Sequence, residues 1–349
     1  MRTALAFFLL INLCANAQTK WSADKANNWA KDQPWFIGCN YIPATAINEL
    51  EMWQRETFDT VTIQNELALA HTTGFNIIRV FLHETVYRYD SVAFKKRIDV
   101  FLSIAERNKI KVMFVLFDDC WNANPKPGPQ PAPKPGVHNS GWVQCPGKTD
   151  VISHKRWADL EKYTVDIIST FANDKRIVVW DVYNEPGNSG LFGKTVPLLR
   201  NVFKWAREAK PGQPLTSGVF AFKATHNVQL SNSDIITFHN YSGSKRMAAQ
   251  IKRMKLFNRP VICTEYMART SGSTFKDNLP VLARENVGAI NWGFVKGKTQ
   301  TIYPWTTWIK PMTSEPAIWF HDIYRTDSTA FDNEEVKLIQ RISAEKNQP

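Results

Sequence analysis

Short apolar runs that end on polar tips recur along this chain, and amphipathic stretches follow several of them. The first run is Trp35-Phe36-Ile37-Gly38-Cys39-Asn40-Tyr41, followed by a loop and a predicted helix over about Thr57–His71. Phe75 to Leu82 is the second, tipped by His83-Glu84, with a helix predicted from Ser91, a plausible N-cap, to about Asn108. That helix places Phe94, Ile98, Phe101, Leu102 and Ala105 on one stripe. The third run, Lys111 to Asp118, leads into Asp119-Cys120-Trp121-Asn122 and then a proline- and glycine-rich stretch over 123–150. A helix predicted from Ser153 to about Ala172 precedes the fourth run, Arg176 to Glu185, which Pro186-Gly187 closes.

The fifth run, Pro214 to Phe220, is weak, and the sixth is Asp234 to Tyr241 with a helix near Lys245–Phe257. The seventh, Arg259 to Glu265, precedes a helix near Phe275–Asn286. Gly288 to Phe294 is the eighth, and a final helix is expected near Glu315–Tyr324, with a peripheral polar tail after about Thr326. Eight strand-like runs alternating with helices predict an α/β fold, a single (β/α)8 TIM barrel with a long Pro-rich loop after strand 3. A structureless insertion of that length at a strand tip reads as a substrate-facing loop.

The 349-residue length suits one such barrel with insertions. Met1-Arg2, the apolar Ala4–Leu13 and the small-x-small Ala15-Asn16-Ala17 predict a cleaved signal peptide over residues 1–17. The mature domain would then be residues 18–349, periplasmic or secreted. No later run is long enough to span a membrane. Four cysteines remain after cleavage: Cys120 and Cys145 bracket the insertion and could staple it, while Cys39 and Cys263 fall within predicted strands as small buried residues. The net charge of +11 is scattered over predicted helices, as at Lys95-Lys96-Arg97 and Lys252-Arg253-Lys255. That is the pattern of solvated outer faces, though it also suits an acidic polysaccharide. No nucleic-acid-binding motif accompanies it. The thirteen tryptophans serve either as core or as flat ligand platforms.

The chemistry concentrates at two strand tips. Asn184-Glu185 ends the fourth run and Glu265 the seventh, which is where barrel enzymes carry reactive groups. Two carboxyl groups facing one another are what glycoside hydrolysis needs: one kept neutral to protonate the leaving oxygen, the other ionised. Arg79, amid apolar residues, needs a buried partner. Glu265 is one candidate, and Glu84 and Asp118 are the others. Asp118 and Asp119 either bind sugar hydroxyls or cap the loop. His83, His239 and these aspartates share no recognised metal-ligand spacing, so no metal is expected.

Together, Asn184-Glu185-Pro186, Glu265, Arg79, His239-x-Tyr241 and Trp292 resemble the clan A glycoside hydrolases, in particular the cellulase-like family 5. The resemblance covers essentially the whole mature chain. It implies a retaining β-glycosidase with Glu185 as acid/base and Glu265 as nucleophile. It further implies that Asn184 binds the sugar 2-hydroxyl, that Arg79 and Tyr241 hold Glu265 ionised, that His239 sits near Glu185, and that Trp292 floors the subsite. Neither metal nor organic cofactor is implied, and the partner is a carbohydrate. The chain departs from many family members, which carry a histidine where this one has Asp118-Asp119-Cys120-Trp121. Trp121 and Trp142 read equally as outer platforms or as core. Two rival functions share these residues: a barrel that binds carbohydrate without cleaving it, and a transglycosylase using the same intermediate. Sugar, linkage, endo or exo action and oligomeric state are not encoded in any of these features.

Overall fold

Eight parallel strands surround a common axis in the computed structural model, which describes residues 18–348. The leader expected over 1–17 lies outside the described residues. The strands are β1 (Ile37–Asn40), β2 (Ile77–Phe81), β3 (Lys111–Val115), β4 (Ile177–Asp181), β5 (Leu215–Thr216), β6 (Ile236–His239), β7 (Val261–Glu265) and β8 (Gly288–Asn291). Their order is β5-β4-β3-β2-β1-β8-β7-β6, every pair parallel. A bridge between Val219 and Phe238 joins the two ends of that order, so the sheet closes into a (β/α)8 barrel. β5 is only two residues long because the chain bends away after Thr216 and returns at Val219 to make the closure. At β1, Gly38 is required by close approach: a Cβ there would lie 1.7 Å from the Ile77 carbonyl oxygen on β2.

Helices follow the strands where amphipathic periodicity predicts them, at Thr60–Thr72, Ser91–Arg107, Trp157–Thr170, Ser244–Lys255 and Phe275–Arg284. Two more, Val196–Glu208 and Lys223–Asn232, fill the places after β4 and β5. The N-cap of the second helix is Asp90 rather than Ser91; its carboxylate accepts from the Ala93 amide at 3.0 Å. A helix not expected from the sequence, Ala23–Lys31, shuts the floor of the barrel. Its Ala26 and the preceding Trp21 pack with Ile77, Met113, Val179, Ile262 and Ile290 from the strands. The lower lumen is thus packed with apolar side chains, and the polar site is confined to the opposite mouth.

The expectation for the C-terminus is overturned. Glu315–Tyr324 is irregular, and the helix after β8 is Asn333–Asn347, within the stretch expected to be a peripheral tail. Ile339 and Ile342 are buried in the main core. The Ser343 hydroxyl donates to the Gly74 carbonyl at 2.5 Å, and Glu335 forms a largely shielded fork with Arg269, at 2.6 Å for the closest pair. The disulfide considered for Cys120 and Cys145 does not form either: all four described cysteines are free and buried.

If the terminal helix is part of the barrel wall, Ile339→Ala should lower unfolding free energy by about 3 kcal/mol, the usual cost of emptying a buried isoleucine site. Chemical denaturation monitored by tryptophan fluorescence measures it, and a change below about 0.5 kcal/mol would return the helix to the status of a loose tail.

Candidate active site

Arg79 points up the lumen from β2 with no exposed surface, so each of its five N–H groups needs an acceptor. Each has one. Nε and Nη2 donate to Asp181 Oδ2 on β4 at 3.1 and 2.7 Å, and Nη2 also donates to Asn184 Oδ1 at 2.7 Å. Nη1 donates to Asn40 Oδ1 on β1 at 2.7 Å and to Glu265 Oε1 on β7 at 2.9 Å. The face of Phe81 lies 4.8 Å from the guanidinium carbon. The partner is therefore Glu265 together with Asp181, and not Glu84 or Asp118. Glu84 pairs instead with Arg156 at 2.9 Å.

Because arginine only donates, Arg79 fixes the Asn184 amide with its oxygen inward. The amide nitrogen donates to Asp118 Oδ1 at 2.9 Å, and its second N–H remains for the cavity that Asn184 lines. Asp118 also accepts from the Trp142 indole at 2.7 Å, so it orients two cavity residues without lining the cavity itself. Asp119 is placed farther back. It accepts from the Tyr183 hydroxyl, the Gly187 amide and the Thr195 hydroxyl, bracing the turn that follows Glu185. Burial pushes both aspartates up to about 7, against these hydrogen bonds.

Glu185 and Glu265 meet across the mouth. One oxygen of each carboxylate and one ring nitrogen of His239 lie within 4.8 Å of one another. His239 Nδ1 is 2.9 Å from Glu185 Oε1 and 3.4 Å from Glu265 Oε2. Burial draws His239 down to about 4, so the ring is neutral near pH 7. The two carboxyls are equally buried but differently attended. Glu185 Oε2 accepts from the Asn188 amide at 2.5 Å and the Cys120 thiol at 3.3 Å, both neutral donors. Burial lifts it to about 7. Glu265 is also raised by burial, but the Arg79 guanidinium and the Tyr241 hydroxyl, at 2.7 Å, favour its anion. Glu185 sits at φ +40°, in the left-handed region that glycine or asparagine usually occupies, with its side chain pinned on both oxygens.

A cavity of about 260 Å³ opens above the pair. Trp292, half-buried, packs edge-on against Phe81 and Trp142 with ring centroids 5.9 and 5.5 Å away. Trp121 lines the cavity, and Trp142 lines it too while being buried, which makes Trp142 wall rather than outer platform. Glu185, His239 and Glu265 also form a three-donor set that could hold a cation. Their carboxylate oxygens already accept from Arg79, Tyr241, Asn188 and Cys120, and the buried guanidinium repels a second positive charge, so the set fits a metal poorly.

Several functional neighbours escaped the sequence reading. Asp181 carried a signal, a lone carboxylate in the apolar run Ile177-Val178-Val179-Trp180-Asp181. Asn188 lies one turn past Glu185, and Cys120 was weighed only for a disulfide. His138, Asn139, Trp305 and His321 reach the cavity from two distant loops, and no local pattern marks them.

By fold, the chain is similar to a GH5_18 variant from Streptomyces cattleya solved with Manβ1-4GlcNAc (TM-score 0.60, 12% identity, covering 91% of this chain and 82% of that one). It is likewise similar to the endo-β-1,4-mannanase of Thermotoga petrophila (0.60, 13%, 92% and 78%). The exo-β-1,4-mannosidase Op5Man5 of Opitutaceae bacterium strain TAV5 gives 0.63 at 16% identity, and the match covers 90% of this chain and 60% of that longer one. No curated protein matches by sequence. The family profile described as Cellulase (glycosyl hydrolase family 5) matches residues 37–319, a span that runs from β1 past β8. On that match the chain belongs to glycosyl hydrolase family 5 and is a glycosyl hydrolase.

Proposed function

We propose that the protein is a retaining β-glycosidase that cleaves β-linked glycan by double displacement. The observation that carries this reading is the pair of buried carboxyls with oxygens within 4.8 Å, one beside neutral donors and one beside a guanidinium. Retaining enzymes hold their carboxyls roughly 5–5.5 Å apart, whereas inverting ones leave about 6.5–9.5 Å for a water. The close spacing supports retention.

In this reading Glu265 attacks the anomeric carbon as an anion held by Arg79 and Tyr241, while Glu185 gives its proton to the departing oxygen. Water then enters on the vacated side, Glu185 takes a proton from it, and the glycosyl–Glu265 ester is hydrolysed. The free Asn184 N–H suits the sugar 2-hydroxyl, and Trp292 offers a face to the ring. A non-cleaving carbohydrate binder would have no need to keep one carboxyl protonated near pH 7 beside another held as an anion. Mannosyl specificity among the similar folds makes β-mannosides a natural part of any substrate screen. The leader-like residues 1–17 support export to the periplasm or medium.

Glu265→Ala should reduce kcat by at least about 10⁴-fold, the scale of removing a covalent nucleophile, with the circular dichroism spectrum unchanged. Glu185→Ala should cost about 10²–10⁴-fold on natural glycans. It should largely spare glycosylation by dinitrophenyl glycosides, and azide should restore turnover as a β-glycosyl azide. Wild-type activity in either variant would sink the assignment.

The pH profile of kcat/KM supplies an independent check. Glu185 must be protonated, and its raised value of about 7 means the active form is present below that pH and lost as pH rises through it. The alkaline limb should therefore fall near pH 7, and Glu185→Gln should remove it for dinitrophenyl substrates. An alkaline limb that persists in Glu185→Gln would assign the proton elsewhere.

A further inference from the structure

The two ends of the cavity are built differently. Over β8, β1, β2 and β3 the mouth is filled: Phe81, Val115, Cys120 and Trp142 form their own apolar cluster, with Ile42, Trp121 and Trp292 packed on it. Behind Trp142 and Trp292 only about 20 Å³ of space remains. Above this plug the loop after β3 is tied to the loop after β8. The Asn139 amide donates to the Thr299 carbonyl at 2.7 Å, the His138 amide to the Thr307 hydroxyl at 2.9 Å, and the Met312 amide to the Gly136 carbonyl at 3.0 Å. Gly136 permits this contact, since a Cβ there would lie 1.7 Å from the Met312 carbonyl oxygen and φ is +69°. Residues 136–147 are buried without a break, so the strap is a packed wall.

Over β4 to β6 the rim is open. Phe220 and Phe222 line the cavity there, and Phe192, on the loop after β4, is 62% exposed with its ring 6.3 Å from that of Phe222. Chemistry assigns the two ends. A general acid must stand beside the departing oxygen, so the leaving part of the substrate lies on the side of Glu185 and this rim. The sugar whose anomeric carbon meets Glu265 lies on the other side, against Trp292 and the plug.

The strap also brings unused hydrogen-bond acceptors to that closed side. His321 Nδ1 is bonded to the Met267 carbonyl, which can only accept, so the ring proton is on Nδ1 and Nε2 is a bare acceptor. His321 Nε2 and Asn139 Oδ1 are both buried with no partner, in residues that line the cavity. His321 stands 5.7 Å, centroid to centroid, from Tyr241, the residue that holds Glu265. Buried acceptors left empty are costly. Each fits the hydroxyl of a sugar held there.

Resting on the glycosidase reading above, we propose that the enzyme removes single sugars from the non-reducing end of β-linked chains. The terminal sugar is enclosed by the strap, and His321 Nε2 and Asn139 Oδ1 accept from its hydroxyls. A cavity of about 260 Å³ falls just below the ~300–1,000 Å³ range of drug-sized ligand pockets, which suits one pyranose better than a chain threaded past it.

The test uses hexasaccharides of β-1,4-linked glucose, mannose and xylose, fluorescently labelled at the reducing end. Each is supplied free or with its terminal 4-hydroxyl methylated. In the accepted series the first labelled product should be the pentasaccharide alone, then a ladder descending by one, and the methyl cap should slow release at least 100-fold. Labelled products of several lengths from the outset, or equal cleavage of capped chains, would overturn end-directed action while leaving the glycosidase reading intact. No cleavage of any hexasaccharide or aryl β-glycoside would overturn both. Asn139→Gly, which keeps the positive φ of 45° without strain, tests the hydroxyl contact on mono-deoxy aryl glycosides. Wild type should lose about tenfold in kcat/KM when one ring hydroxyl is removed, and the variant should be indifferent at that position. Losses that simply add would remove Asn139 from the contact.

Discussion

A guanidinium sealed from water at the centre of a barrel constrains everything above it. Leaving any donor of Arg79 unmatched would cost on the order of 1–3 kcal/mol or more, and removing one partner from a buried ion pair is worse still. The four acceptor atoms that take its five hydrogen bonds come from β1, β4, the turn after β4, and β7. Satisfying one side chain therefore locks the tips of four strands, β2 included, into fixed relative positions. Lysine could not do this, since its three donors radiate from one point and cannot span the carboxylates of Asp181 and Glu265 and the two amides together. The spacing of Glu185 and Glu265 follows from this arrangement, because Asn184, the residue before Glu185, is itself one of the acceptors.

Equal burial of two carboxyl groups then has unequal consequences. Desolvation raises both, but the compensating groups differ in charge. Glu265 faces a permanent cation and a phenol. Glu185 faces a thiol, an amide and a neutral imidazole, none of which repays the cost of its anion as fully. The proposed division into a proton donor and a nucleophile would thus be an electrostatic result of which strand tip lies next to Arg79. The left-handed backbone at Glu185 fits the same picture: the carboxyl is aimed by a conformation that the surrounding hydrogen bonds maintain.

What the sequence made legible was whatever obeys a short period or needs a buried partner. The strand runs, their polar tips and an arginine within Ile77-Ile78-Arg79-Val80-Phe81 are local facts, and the barrel puts them where such facts predict. Long-range pairings were not legible. Cys120 and Cys145 flank one loop, yet Cys145 donates toward the Leu116 carbonyl while Cys120 turns to Glu185, so the two thiols serve separate partners. The Glu315–Tyr324 stretch holds Ile318, Trp319, Phe320, Ile323 and Tyr324 at near-helical spacing, which favours a helix prediction. Ile318 is exposed, but Trp319, Phe320, Ile323 and Tyr324 are buried in an irregular wall against Arg269 and the strap, where backbone bonds go to Thr301 and Ile302. The true last helix has few apolar positions, and it docks through buried Ile339 and Ile342 with Val336 and Leu338 packed alongside.

The loop that walls the cavity and the chemistry beneath it are one physical system. Glu185 is raised chiefly because water is kept from it, and the groups that exclude water include Cys120 and Trp142, both held by the segment after β3. Trp142 is held in turn by Asp118, the acceptor that orients Asn184. Shape selection and proton supply therefore cannot vary independently. A looser strap that admitted longer chains would also admit solvent to Glu185, lower its affinity for the proton and weaken it as an acid at neutral pH. Under the proposed action, enclosing a single sugar and keeping Glu185 protonated would both depend on the same packed aromatic wall.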